Sequence, residues 1–306
     1  MYNFELPELP ERTLKSRESG ITMVMDKGLS LRQAEDLISR SDDYTDIVKL
    51  GFGTSIVTKE LDKKLALYHK AGIKTYFGGT LFEAFIVRGM FDAYRKLVSK
   101  YKMECVEVSD GSIQMNHDDK CHYIQELSKD FIVLSEVGSK EEGIMIRPNL
   151  WISMMNKELE AGAWKVIAEA RESGTVGIYR PNGNAHVALV NKILKNVPGD
   201  SILWEAPNKS QQAWFISLLG SNVNLGNISP EDVIPLETLR LGLRGDTFKQ
   251  FMPSEKVKGA GASRESSACS TKSAASATSN TNKAANKATG KTASGKAAGG
   301  AIAKTT

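Results

Sequence analysis

Eight short apolar runs, separated by longer helical patterns, constrain the fold of this chain more than any other feature. They are Ile21–Met25, Asp46–Leu50, Ile73–Phe77, Cys105–Val108, Phe131–Leu134, Lys165–Ala168, Ser201–Trp204 and Val223–Leu225. None shows the apolar–polar alternation of a half-exposed strand, so each reads as a parallel strand buried on both faces. The intervening segments carry helix-start signals. Ser30 precedes LRQAEDLISR, Thr58 precedes KELDKKLALYHKAG, and Thr80 opens a long helix through Tyr101. A helix is predicted from His117 to Lys129, and others follow Asn149, Asn184, Asn208 and Ser229-Pro230. Eight strands, each followed by a helix, predict an α/β fold of the (β/α)8, or TIM-barrel, type rather than an open doubly wound sheet.

Composition changes abruptly near Pro253. The remaining residues are mainly Ala, Ser, Thr, Lys and Gly. Such a segment buries too little apolar area to offset its ordering entropy and is predicted to be disordered. The expected organisation is an N-terminal extension over 1–19, a barrel over 20–252 and a tail over 253–306. The tail also explains the charge. The chain is formally +4, yet nine Lys/Arg and two Asp/Glu fall from Ser254 onward, leaving the first 253 residues near −3. No nucleic-acid partner is therefore expected at the barrel. No apolar run approaches the ~18 residues that span a bilayer. The N-terminus has no apolar signal region, so no membrane partner is expected and a cytoplasmic location is predicted. The three cysteines fit neither a disulfide framework nor a zinc site, and Cys105 reads as a core residue.

In a barrel of this type, chemistry resides where strands run into the following loops. Glu107, Glu136, Glu169 and Glu205 fall at the ends of four consecutive strands. Carboxylates gathered in a barrel mouth repel one another, so they need cationic partners or a hard cation. Mg2+ accepts carboxylate oxygens and substrate oxygens together. The expected arrangement shares these acids between Mg2+ and pairing with Lys27, Lys49, Lys140 or Arg171.

Three glycine-containing turns complete the pattern: Gly51-Phe52-Gly53-Thr54-Ser55, Gly78-Gly79-Thr80 and Asn224-Leu225-Gly226-Asn227. Free backbone N–H groups at such turns attract anions. Gly53, Thr54, Gly79, Thr80, Asn224 and Asn227 are thus candidate substrate-binding residues. No histidine falls at a strand end, and all four read as surface residues. Lysine becomes the leading proton-transfer candidate, since burial near another cation lowers its pKa toward working pH.

Several segments resemble the phosphosulfolactate synthase family, whose members begin coenzyme M biosynthesis in methanogens and have bacterial relatives. They include ITMVMDKGLS, DIVKLGFGTS, GIKTYFGGTLFEAF, VEVSDGSI, LSEVGSK, LEAGAWKVIAEARESG, WEAPNKSQQAWFI, NVNLGNI and LETLRLGLRGDTF, in order from Gly20 to Phe248. The resemblance implies a (β/α)8 barrel that forms oligomers. It implies a Mg2+-dependent lyase that adds sulfite to phosphoenolpyruvate, giving (2R)-phospho-3-sulfolactate. The family's strand-five motif reads Glu-Val-Gly-Lys-Lys, and its final lysine, the implied proton donor, matches Lys140. Ser139 replaces the preceding lysine. That loss of a positive charge leaves room for another nucleophile or enol phosphate. A plant heat-stress relative raises a third reading, a non-catalytic stress-associated protein.

Overall fold

A computed structural model describes residues 2–138 and 147–259. Among these, eight parallel strands form one sheet: β1 (Thr22–Asp26), β2 (Ile47–Leu50), β3 (Lys74–Phe77), β4 (Cys105–Val108), β5 (Ile132–Val137), β6 (Lys165–Ala168), β7 (Ile202–Glu205) and β8 (Leu225–Ile228). The strand order is β3-β2-β1-β8-β7-β6-β5-β4. The first and last strands therefore pair, and β3 packs beside β4 across the remaining seam. Side chains staple that seam. Glu104 accepts the Thr75 N–H at 3.1 Å at one end, and Glu107 accepts the Gly79 N–H at 2.6 Å at the other. The predicted α/β barrel is the observed fold.

The helices between the strands are α1 (Leu31–Ser41), α2 (Leu61–Lys70), α3 (Gly79–Ile86), α4 (Phe91–Lys100), α5 (His117–Leu127), α6 (Pro148–Glu160), α7 (Val187–Leu194) and α8 (Lys209–Leu219); α9 (Val233–Arg240) follows β8. Ser30 caps α1 through a capping box with Gln33, and Asn208 does the same for α8 with Gln211. The single helix predicted from Thr80 is two. Gly89, at φ +64°, lets the chain turn between α3 and α4. The helix predicted after Thr58 starts at Leu61, because Glu60 takes a left-handed conformation.

Two cores result. An outer one packs strands against helices, and a small inner one fills the barrel with Ile21, Met23, Ile47, Tyr76, Cys105, Leu134, Ile167 and Leu203. The N-terminal segment lies across the barrel's lower end. Arg12 grips Glu237 with two bonds, Arg17 pairs with Asp46, and Lys165 donates to the Glu18 carbonyl. Most of the tail predicted to be disordered, residues 260–306, lies outside the described residues, as do residues 139–146.

Two strand boundaries differ from expectation, with consequences for the site. Strand five does not stop at Leu134 but continues through Ser135 and Glu136 to Val137. Polar residues there looked like a loop, yet Glu136 stays buried at the barrel mouth. Strand eight begins at Leu225, where Val223–Leu225 was expected. Asn222 and Asn224 therefore precede it and lie at the lower end.

Candidate active site

The site follows from period-two geometry. Inward positions on the strands are apolar in the barrel's middle layer and charged one step higher. Cys105 is followed two residues later by Glu107, Leu134 by Glu136, Ile167 by Glu169 and Leu203 by Glu205; on β2, Ile47 is followed by Lys49. The same alternation that fills the barrel thus builds a charged floor at its upper end. Above the floor opens a cavity of about 420 Å³. Its wall includes Lys49, the four glutamates, Arg171 and Asn227.

Lys49 sits among the acids. Its Nζ lies 2.9 Å from Glu107 Oε2, and 3.5 Å from both Glu136 Oε2 and Glu205 Oε1. Burial works to neutralise Lys49, but Glu107 and the other carboxylates outweigh it and hold it charged, well above the ordinary lysine range. The expected pairing of Lys49 with these acids is present, and its neighbours are carboxylates and not the second cation that would lower a lysine's pKa. Glu107 is committed to protein donors, the Gly79 N–H at the start of α3 and Lys49. Glu205 accepts the Ala170 N–H at 2.8 Å. Burial raises its carboxyl to about 7, with Lys49 opposing and Glu136 adding to the effect. Among the described residues, no three His, Cys, Asp or Glu side chains converge as a ready metal cage.

The raised Glu205 gives a pH prediction. Its folded pKa of about 7 lies above the reference 4.5, so the folded state holds an extra proton between those values. The associated stability is fully present below 4.5 and is lost as pH rises through 7. Gln at this position cannot titrate. In Glu205→Gln, kept in EDTA, this contribution to the fall in unfolding free energy between pH 5 and 8 should vanish in urea titrations. Parallel pH profiles for variant and parent would refute it.

The other candidates divide. Arg171 and Thr80 line the cavity, as does Asn227, whose Nδ2 donates to the Ala170 carbonyl at 3.3 Å. Lys27 does not; it makes an exposed pair with Glu172 at 3.1 Å. In two of the glycine turns, one N–H group expected to be free is already used. Thr54 N–H closes its own turn on the Gly51 carbonyl, and Gly79 N–H is taken by Glu107. Gly53 and Thr54 stand beside the cavity, while Gly51 and Phe52 form its wall. Asn224 is at the opposite end of the barrel, where its amide bonds the Ile21 N–H and the Asp200 and Ile202 carbonyls. It ties β1 to β7, and the misplaced start of strand eight explains the error. Lys140 lies outside the described residues.

Comparison with known proteins decides the family. The family model for (2R)-phospho-3-sulfolactate synthase (ComA) matches residues 10–246. The phosphosulfolactate synthase of Bacillus subtilis (strain 168) is 42% identical over 251 residues, which is 81% of this chain and 99% of the relative. The chain belongs to the phosphosulfolactate synthase family. The phosphosulfolactate synthase of Methanothermobacter thermautotrophicus is 41% identical over 245 residues, 78% of this chain and 95% of that one. A solved fungal endo-beta-N-acetylglucosaminidase superposes with a TM-score of 0.50 at 10% identity, covering 72% of this chain and 98% of that one, a likeness of fold alone.

In this member of the phosphosulfolactate synthase family, two further buried lysines hold the site's loops from behind. Lys64 of α2 donates to Asp26 Oδ2 at 2.8 Å and to the Leu29 carbonyl at 3.0 Å, fixing the loop after β1. Lys120 of α5 bonds Asp110 at 2.9 Å, the Glu136 carbonyl at 2.6 Å and Glu158 at 3.1 Å. His117, expected at the surface, is half-buried against Glu158. Inside charged helical stretches, neither lysine stands out in the sequence. A signal existed nonetheless. Lys64 lies on the face of Leu61, Leu65 and Tyr68, and Lys120 on that of Ile124 and Leu127, the buried faces of their helices.

Proposed function

We propose that this chain catalyses Mg2+-dependent addition of sulfite to phosphoenolpyruvate, giving (2R)-phospho-3-sulfolactate. The observation that carries the reading is a cavity floor of four buried glutamates, three of them around one lysine, in a chain of this family. Carboxylate oxygens exceed cations there, and hard oxygen donors suit Mg2+. The fit is one of charge and donor chemistry. Glu136 and Glu169, with the Asn227 amide, are the oxygen donors at the cavity wall that would hold the ion. A bound Mg2+ would offset the negative charge that develops on the substrate carboxylate.

The chain's own residues supply the rest. Arg171 at the cavity wall attracts the anionic reactants, whose mutual repulsion opposes their meeting. Lys49, among Glu107, Glu136 and Glu205, offsets part of their charge and holds them in place. The sulfite sulfur forms a bond to the methylene carbon of the enol phosphate. The double-bond electrons move toward the carboxylate, and a proton is then delivered to the carbon that carries phosphate. On the sequence motif, that donor is Lys140. The action is cytoplasmic, in a homo-oligomer.

The test incubates the full chain with phosphoenolpyruvate, sulfite and Mg2+ and follows both phosphoenolpyruvate loss and the product mass. Turnover should fall at least ~100-fold after EDTA treatment and return with added Mg2+. A folded chain that leaves phosphoenolpyruvate untouched sinks the reading. A product without the sulfonate would favour another nucleophile, as Ser139 allows.

A further inference from the structure

The loop that carries Arg171 is held at three points. Its neck is closed by the Ile178 N–H, which donates to the Glu169 carbonyl at 3.0 Å. The closure is tight, for a Cβ on Gly177 would lie 2.1 Å from that same oxygen. On the cavity side, the Ala170 peptide is bracketed. Its N–H goes to Glu205 and its carbonyl receives Asn227. On the far side the first turn of α8 takes hold. Asn208 Nδ2 donates to the Ser173 carbonyl at 3.1 Å, and Gln211 Nε2 donates to the carbonyls of Gly174 at 2.8 Å and Gly183 at 3.1 Å. A Cβ on Gly174, at φ +68°, would lie 2.3 Å from the Asn208 amide and 2.5 Å from that of Gln211. Loop and helix thus meet with no room for a side chain.

Gln211 therefore has two tasks. Its Oε1 accepts the Asn208 N–H at 3.2 Å, completing the helix cap, while its Nε2 latches the loop. Between the latch and the Ala170 bracket stands Arg171, among the described residues the cation at the cavity wall that is not surrounded by the floor's carboxylates. We infer that Gln211, assisted by Asn208, is a positioning residue that sets the affinity for the anionic substrate by fixing where Arg171 stands. The inference rests on the reading of the reaction given above. A capping residue that only stabilised α8 would have no reason to bond two carbonyls of a loop lying 28 and 37 residues earlier.

The two tasks can be separated chemically. Gln211→Glu keeps an oxygen for the Asn208 N–H, and glutamate is favourable at this position of a helix start. An ionised carboxylate has no hydrogen to give to Gly174 or Gly183. In the full-length Gln211→Glu chain, backbone amides of residues 171–177 should exchange with deuterium about tenfold faster than in the parent, while barrel strands keep their protection. The KM for phosphoenolpyruvate should rise about tenfold, with kcat within about threefold of the parent. Gln211→Met, which loses cap and latch together, should show the same split if it folds. Unchanged exchange in the loop overturns the inference, as does faster exchange at unchanged KM. So does a uniform loss of protection with kcat and KM falling together. A parent chain without turnover would overturn the reading of the reaction, and loop exchange would still decide the latch.

Discussion

Replacing Lys49 by methionine should abolish most activity and destabilise the barrel in a way that acid reverses. Glu107, Glu136 and Glu205 all lie within 3.5 Å of the Lys49 ammonium, and all three are buried. Removing one partner of a buried ionic cluster leaves charge uncompensated, a loss of about 3–5 kcal/mol. Here the stranded charges are negative, and Glu205, whose carboxyl burial already raises to about 7, loses the cation that opposes the rise. A raised carboxylate contributes stability that is present at low pH and lost as pH rises through the folded value. Urea unfolding of Lys49→Met should thus show the largest deficit near pH 8 and a much smaller one near pH 5. Turnover should fall by on the order of 10²–10³, the range for deleting one preorganised charge from an active site. A variant equally destabilised at both pH values would show that Lys49 does not compensate these acids.

Lys64→Met should destabilise the protein to a similar degree yet leave substrate affinity unchanged. Lys64 is as buried as Lys49 and also faces a carboxylate, Asp26. The difference is location. Asp26 is held as well by Tyr68 OH at 3.2 Å and by the N–H groups of Gly28 and Leu29 at 2.8 and 2.7 Å, none of which lines the cavity. These remaining donors keep Asp26 satisfied in part, placing the expected loss near the lower end, about 3 kcal/mol. The surviving folded fraction should show the parent's KM for phosphoenolpyruvate. A raised KM would mean that the loop after β1 takes part in binding. Together the two variants distinguish a lysine that organises the cavity from one that only braces it.

Much of this was legible without coordinates, because burial on both faces of a parallel strand writes itself as a short uninterrupted apolar run. Eight such runs predicted the barrel, and the glutamates at their ends are the ones that the structure gathers at the cavity. The same signal failed where strands carry polar residues. Ser135 and Glu136 read as loop although they are strand, and Asn224 read as strand end although it precedes β8. A polar side chain buried in a barrel mouth and one in a solvated turn look alike in sequence; only the neighbours differ.

Sequence by itself determined the fold and the ring of acids, since each depends on spacing along one strand at a time, and matching segments along the chain carried the family. Tertiary structure alone decided the partnerships, because Lys49, Glu107, Glu136 and Glu205 come from four strands brought together by closure of the sheet. It decided that Glu107 answers to a helix N–H and a lysine, and that Lys27 pairs in solvent. It also decided that Gln211, an ordinary cap by its position in the chain, reaches back to hold the loop of Arg171. Distance in sequence carries no record of such contacts; the ionisation and placement they impose arise only when the barrel closes.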